Sequence, residues 1–155
     1  MNEDTTLYCT FRSAGRLFGV PILDVKEVTT ETECTRIPHA PTEVVGYVNI
    51  RGHIFLVLDL RRLLSLDGDT IAVNRRLVIF KLSVGPAFGV MVDEIGDIVT
   101  VNTIHMEKFS GSGQEFTGND RAELVANICK LPEELLVVLD PRRFLPIIEK
   151  VLAGR

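Results

Sequence analysis

Apolar residues in this chain come in short runs separated by turn formers, and only at the C-terminal end do they fall into a helical period. Runs rich in β-branched and aromatic residues predict nine strands: Leu7–Phe11, Leu17–Pro21, Val44–Ile50, Ile54–Leu58, Arg76–Leu82, Ala87–Val92, Gly96–Val101, Leu124–Lys130 and Leu135–Leu139. Ser13-Ala14-Gly15 and Val84-Gly85-Pro86 fit hairpin turns, because glycine supplies a positive φ at little steric cost. Asp59 is placed to cap a short helix over Leu60–Leu64, and a further helical turn is expected near Leu23–Val28. Asp140 followed by Pro141 marks the start of a closing helix to about Leu152. Its residues Phe144, Ile147, Ile148, Val151 and Leu152 recur every three or four positions, giving one apolar face. Many short strands with few helices predict a mainly β protein and favour small barrels over an α/β sheet.

Two internal similarities give this pattern an order. Phe18-Gly19-Val20 recurs 70 residues later as Phe88-Gly89-Val90, and the same shift sets Val25 on Ile95 and Val28 on Ile98. Val57-Leu58-Asp59-Leu60-Arg61-Arg62 recurs 81 residues later as Val138-Leu139-Asp140-Pro141-Arg142-Arg143. Together they predict one domain over 1–155 built of two lobes, near residues 15–70 and 75–140, followed by the helix near 141–152. What the first lobe has alone is the loop Asn49-Ile50-Arg51-Gly52 between two strand-like runs, where the second has Lys130-Leu131-Pro132-Glu133. Arg51 there offers a planar fork of donors suited to a carboxylate, which makes this turn a recognition loop.

Composition narrows the classes. A 46% hydrophobic content over 155 residues supports a packed core, and a net charge of −4 argues against nucleic acid or an anionic membrane surface as partner. The polar, acidic start at Met1–Thr6 has no signal-peptide pattern, and no run reaches the ~20 apolar residues of a membrane span, so a cytoplasmic protein without membrane insertion is expected. Cys9, Cys34 and Cys129 are odd in number and widely spaced, as free thiols are. The Gly- and Ser-rich stretch between Lys108 and Arg121 has the composition of a mobile loop.

No catalytic constellation emerges. His39, His53 and His105 are scattered away from metal-ligand spacing, nucleophile elbows and phosphate loops are missing, and adjacent acids such as Asp93-Glu94 and Glu133-Glu134 fit solvated turns better than acid–base pairs. No metal or cofactor is expected, and the chain reads as an interaction module. The alternative from another class is a small ligand-binding or enzymatic β-barrel using the groove between the lobes.

A family resemblance joins these readings. Phe18-Gly19-Val20-Pro21-Ile22 with Val25-Lys26-Glu27-Val28, Arg36-Ile37-Pro38-His39-Ala40-Pro41, Gly46-Tyr47-Val48-Asn49-Ile50-Arg51-Gly52, Val57-Leu58-Asp59-Leu60-Arg61, Phe88-Gly89-Val90-Met91-Val92-Asp93 and Val138-Leu139-Asp140 resemble the CheW family of bacterial chemotaxis coupling proteins, in order from about Leu7 to Leu145. The chain departs from that pattern at Leu56, where the family often has proline, and at Ala126-Asn127, which replaces a glycine-containing turn.

The resemblance implies two intertwined five-stranded SH3-like β-barrel subdomains and a non-catalytic adaptor. Such an adaptor joins methyl-accepting chemotaxis receptors to the regulatory domain of the histidine kinase CheA in a signalling array. A paralogue serving a pilus or another non-flagellar array is the nearer alternative. Carried over by position, Glu27 and Arg51 fall on positions implicated in receptor and kinase coupling, where their opposite charges suit a salt bridge. Val25 falls near the receptor groove. With the repeat as guide, Val25, Val28, Ile95 and Val99 become groove candidates for the receptor's helical tip, and Asn49, Arg51 and Gly52 the loop candidates.

Overall fold

A computed structural model describes residues 4–66, 74–108 and 121–155. The expected loop at 109–120 therefore lies outside the described residues. In chain order the strands are β1 (Thr5–Ser13), β2 (Arg16–Pro21), β3 (Val25–Thr29), β4 (Val44–Ile50), β5 (His53–Asp59), β6 (Arg76–Phe80), β7 (Phe88–Val92), β8 (Glu94–Asn102), β9 (Met106–Lys108), β10 (Val125–Lys130) and β11 (Leu135–Leu139), with helices α1 (Leu60–Leu63) and α2 (Phe144–Ala153). They form a six-stranded sheet ordered β8-β1-β2-β11-β10-β9 and a five-stranded sheet ordered β3-β6-β7-β5-β4. The protein is mainly β, in two sheets with few helices, as the resemblance implied.

The sheets do not follow the linear lobes. β1 and β2, from the first residues, sit in the sheet completed by β8 to β11, whereas β6 and β7 sit in the sheet of β3, β4 and β5. The repeat explains the exchange. Phe18-Gly19 of β2 pairs in parallel with Val137-Val138 of β11, while Phe88-Gly89 of β7 pairs in parallel with Leu56-Val57 of β5. Gly19 thus faces Val138 as Gly89 faces Val57, so each Phe-Gly-Val strand is matched in one register with the Val-Leu-Asp strand of the other repeat. The two sheets follow the same order, β3-β6-β7-β5-β4 corresponding to β8-β1-β2-β11-β10. Even the extra strand β9 has a counterpart, the isolated bridge of Thr35 to Tyr47 on the edge of β4.

This packing requires glycine at position 89 and leaves little room for a side chain at position 19. A Cβ on Gly19 would lie 3.1 Å from Leu136 Cδ1, and one on Gly89 would lie 2.6 Å from the Val78 carbonyl oxygen. Helix capping is likewise doubled. The Asp59 carboxylate accepts from the Arg61 N–H at 3.0 Å and the Asp140 carboxylate from the Arg142 N–H at 3.1 Å, filling the open donors of each helical start. Both arginines then cross to the other repeat. The Arg61 guanidinium holds the buried Asp93 carboxylate with its Nη2 at 2.6 Å, and Arg142 holds the buried Asp24 with two bonds of 2.9 and 3.0 Å.

Among the described residues three apolar cores result. The largest joins the sheets and α2 through Phe11, Phe18, Phe80, Phe88 and Phe144, with the Phe80 and Phe88 rings 5.0 Å apart and Phe144 set edge-on to Phe80 at 6.0 Å. A second, with Val48, Phe55, Val57 and Ile79, lies within the five-stranded sheet, and a third, with Tyr8, Leu17, Val101 and Leu136, within the six-stranded one.

Three local expectations are corrected. The helical turn expected near Leu23–Val28 is a 3₁₀ turn of only Ile22–Asp24 followed by β3, because Val25 and Glu27–Thr29 pair with β6 far along the chain. Ser13-Ala14-Gly15 makes a tight hairpin with positive φ at Ala14 and Gly15, but Val84-Gly85-Pro86 lies in a longer link between Phe80 and Phe88. Gly85 has no positive φ there and instead leaves room for the Phe88 ring, 3.3 Å from where its Cβ would be. The closing helix begins as a 3₁₀ turn at Pro141–Arg143 and becomes α-helical at Phe144.

Candidate functional site

The β4–β5 hairpin turns on two residues, Arg51 and Gly52, both with positive φ (52° and 87°). That is the geometry whose twist matches paired antiparallel strands, and Gly52 meets its demand at no cost while Arg51 adopts it under mild strain. The Asn49 side-chain oxygen accepts the Gly52 N–H at 2.9 Å, tying the turn, and Ile50 pairs with His53 to close it. Arg51 then reaches across to β3, where one of its nitrogens donates to the Glu27 carboxylate.

This ion pair reports the shape of the sheet. β3 and β4 are its opposite edges, yet the hairpin tip touches Glu27, and Lys26 of β3 sits 5.4 Å from the centre of the Phe55 ring of β5. The sheet curls until its two ends are within side-chain reach. Arg51 remains 71% exposed and Glu27 25%, so the pair presents a guanidinium braced on one side and open on the other.

Asn49, Arg51, Gly52 and Glu27 are therefore gathered at one tip, with Val25 and Val28 on the strand that carries Glu27. Val28 is 38% exposed, whereas Val25 is half-buried against the largest core. Ile95 and Val99 lie elsewhere, on β8, the edge of the other sheet. Ile95 is 37% exposed, but Val99 packs against the core that holds Val101 and Leu136. β3 and β8 do not pair with each other.

Some exposed apolar positions were missed as candidates. Ile98, the repeat partner of Val28, is 57% exposed and points away from the face that Val99 joins, as strand alternation requires. Tyr47 and Ile54 stand outward on the hairpin beside Arg51, and the alternation of β4, with Val48 and Ile50 inward, is the signal that could have found them. Among the described residues no group of three or more His, Cys, Asp and Glu gathers to hold a metal. Burial pushes the Cys9, Cys34 and Cys129 thiols above their ordinary pKa, and all three are unbridged. No helix among the described residues is long and apolar enough to cross a membrane.

A curled five-stranded sheet, a six-stranded sheet with an exposed edge strand and a charged hairpin tip define a two-sheet β module. The CheW-like domain model matches residues 7–149, and the chain belongs to that family. It is 28% identical over 130 residues to the chemotaxis protein CheW of Bacillus subtilis, covering 84% of this chain and 80% of that one. Coverage of such relatives' own length ranges from 59% for Rhizobium meliloti CheW to 84% for Klebsiella aerogenes CheW. Protein PilI of Pseudomonas aeruginosa is 36% identical over 86 residues, 55% of this chain and 47% of PilI. The fold matches the crystal structure of the scaffolding protein TtCheW from Thermoanaerobacter tengcongensis with a TM-score of 0.75 at 24% identity, over 86% of this chain and 88% of that one.

Proposed function

We propose that this chain is a non-catalytic, cytoplasmic adaptor that couples methyl-accepting chemotaxis receptors to the histidine kinase CheA. Family membership supports the chemotaxis adaptor role. The observation that carries the reading is the Arg51 tip. A guanidinium held by Glu27 yet 71% exposed is poised for a partner's carboxylate or backbone carbonyl, and its cost of ordering is already met by the turn and the ion pair. Exposed Val28 beside it, and Ile95 on the other sheet edge, supply apolar surface of the kind that receives an amphipathic helix.

Co-sedimentation with receptor-containing membranes and CheA tests the proposal. Retention that requires both membrane receptors and kinase is the expected result, and absence from the pellet would overturn it. The resemblance to PilI favours a second reading, an adaptor of a pilus-associated array, over less of the chain. Retention by the receptors and kinase of such an array, with none by chemotaxis receptors, would select it.

A further inference from the structure

Away from the hairpin tip, a cavity of about 490 Å³ lies between the segment 32–45, the end of β5 with α1, and the approach to β6. Three arginines line it from three separate elements: Arg36, Arg62 and Arg75. Arg36 follows Thr35, whose backbone is bonded both ways to Tyr47 at 2.8 and 2.9 Å, so its start is fixed on the sheet edge. Arg62 belongs to α1, and Arg75 immediately precedes β6. The one carboxylate among the described lining residues is Asp59, whose Oδ2 is 3.3 Å from Arg75 Nη2 while its Oδ1 caps α1. Among the described residues neither Arg36 nor Arg62 has an ion-pair partner.

Three cations against one engaged anion among the described lining residues leave an excess of two positive charges around a cavity that apolar residues such as Ile37 and Met91 also line. Its size falls within the range of small-molecule sites, roughly 300–1,000 Å³. We infer that this cavity is a binding site for a small organic anion carrying two negative charges, its charged groups on Arg36 and Arg62 and its carbon body against the apolar wall. Guanidinium forks match carboxylate and phosphate oxygens in pairs, so a dicarboxylate and an organic phosphate monoester share the required chemistry. The inference is independent of the adaptor role, since none of these arginines belongs to the Glu27–Arg51 tip.

Calorimetric titration of the full chain with succinate and with phenyl phosphate, at constant ionic strength, tests it and separates the two chemistries. Saturable binding of at least one is expected. Arg36→Gln and Arg62→Gln should each weaken it about 10-fold or more, the effect of losing one charge-assisted bond. Arg51→Gln should leave it unchanged. Cys34 gives a second readout, because it lines the same cavity while Cys9 and Cys129 are buried. Its alkylation by anionic iodoacetate relative to neutral iodoacetamide should fall in Arg36→Gln/Arg62→Gln, and bound ligand should protect it. The inference is overturned if neither probe binds, or if the double variant binds as well as the parent.

Discussion

Replacing Arg61 by methionine should unlock the two repeats at one of their two matched crossings. Asp93 is 7% exposed and is held by Arg61 through Nε at 3.0 and 3.3 Å and Nη2 at 2.6 Å. The hydrogen bond to Asp93 also raises the pKa of Arg61, although burial opposes it, so the guanidinium stays charged at any working pH. Methionine keeps the apolar stem but abandons a buried carboxylate, an event that costs about 3–5 kcal/mol in general. Asp93 retains one donor, the Ala14 N–H at 2.9 Å, which places the expected loss near the lower end, about 3 kcal/mol. For a chain of this size that is a melting-temperature fall of roughly 6–12 °C. Urea unfolding followed by circular dichroism measures it, and the cycle is completed with Asp93→Asn and the double variant. Removing both charges should recover at least about 1 kcal/mol of the single-variant loss, since an uncompensated charge no longer remains. Arg51→Ala is the control: its pair is exposed and should change stability by no more than about 1 kcal/mol. A loss below about 1 kcal/mol for Arg61→Met, or a double variant no better than the single, would refute the locking role.

Other outcomes follow from the same geometry. Gly46→Ala should cost about 3 kcal/mol or more in the same unfolding assay, because its Cβ would fall 2.1 Å from the Thr35 carbonyl oxygen at a φ of +153°. Burial raises the Glu43 carboxyl, but the Arg121 hydrogen bond, local backbone bonding and the Arg121 charge together win and hold it below its ordinary 4.5. The stabilisation it gives is therefore present above pH 4.5 and lost as pH falls through the lowered value, so the deficit of Glu43→Gln relative to the parent should shrink on acidification. Val28→Lys, at the exposed position of β3, should weaken receptor pull-down while the protein still folds, and unchanged pull-down would remove Val28 from the docking surface.

Much of the fold was legible because it is written in local patterns. Val44–Ile50 and Leu135–Leu139 were bounded correctly by alternation and turn residues, and the Asp59 and Asp140 caps by helix-start chemistry. β3 was not, since Val-Lys-Glu-Val-Thr is short and its strand character comes from pairing with β6, which no local window contains. β9, three residues long, escaped for the same reason. The repeats were visible as matched strings, but two lobes cut near residue 70 were a linear reading of a crossed arrangement. Only the registers Gly19–Val138 and Gly89–Val57 show that each repeat completes the other's sheet. At the candidate site, Gly52 advertised the turn and Arg51 its charge. The crossing pairs Arg61–Asp93 and Arg142–Asp24 were unreadable, because their partners are distant in sequence and each residue alone resembles a surface charge.

The most direct test of the adaptor account is quantitative co-sedimentation of Arg51→Ala with receptor-containing membranes and CheA, beside the parent chain. The variant should fold with a melting temperature within about 4 °C of the parent's and lose about 10-fold or more in retention, as an exposed arginine anchor at an interface would. A folded Arg51→Ala protein retained as well as the parent would contradict it.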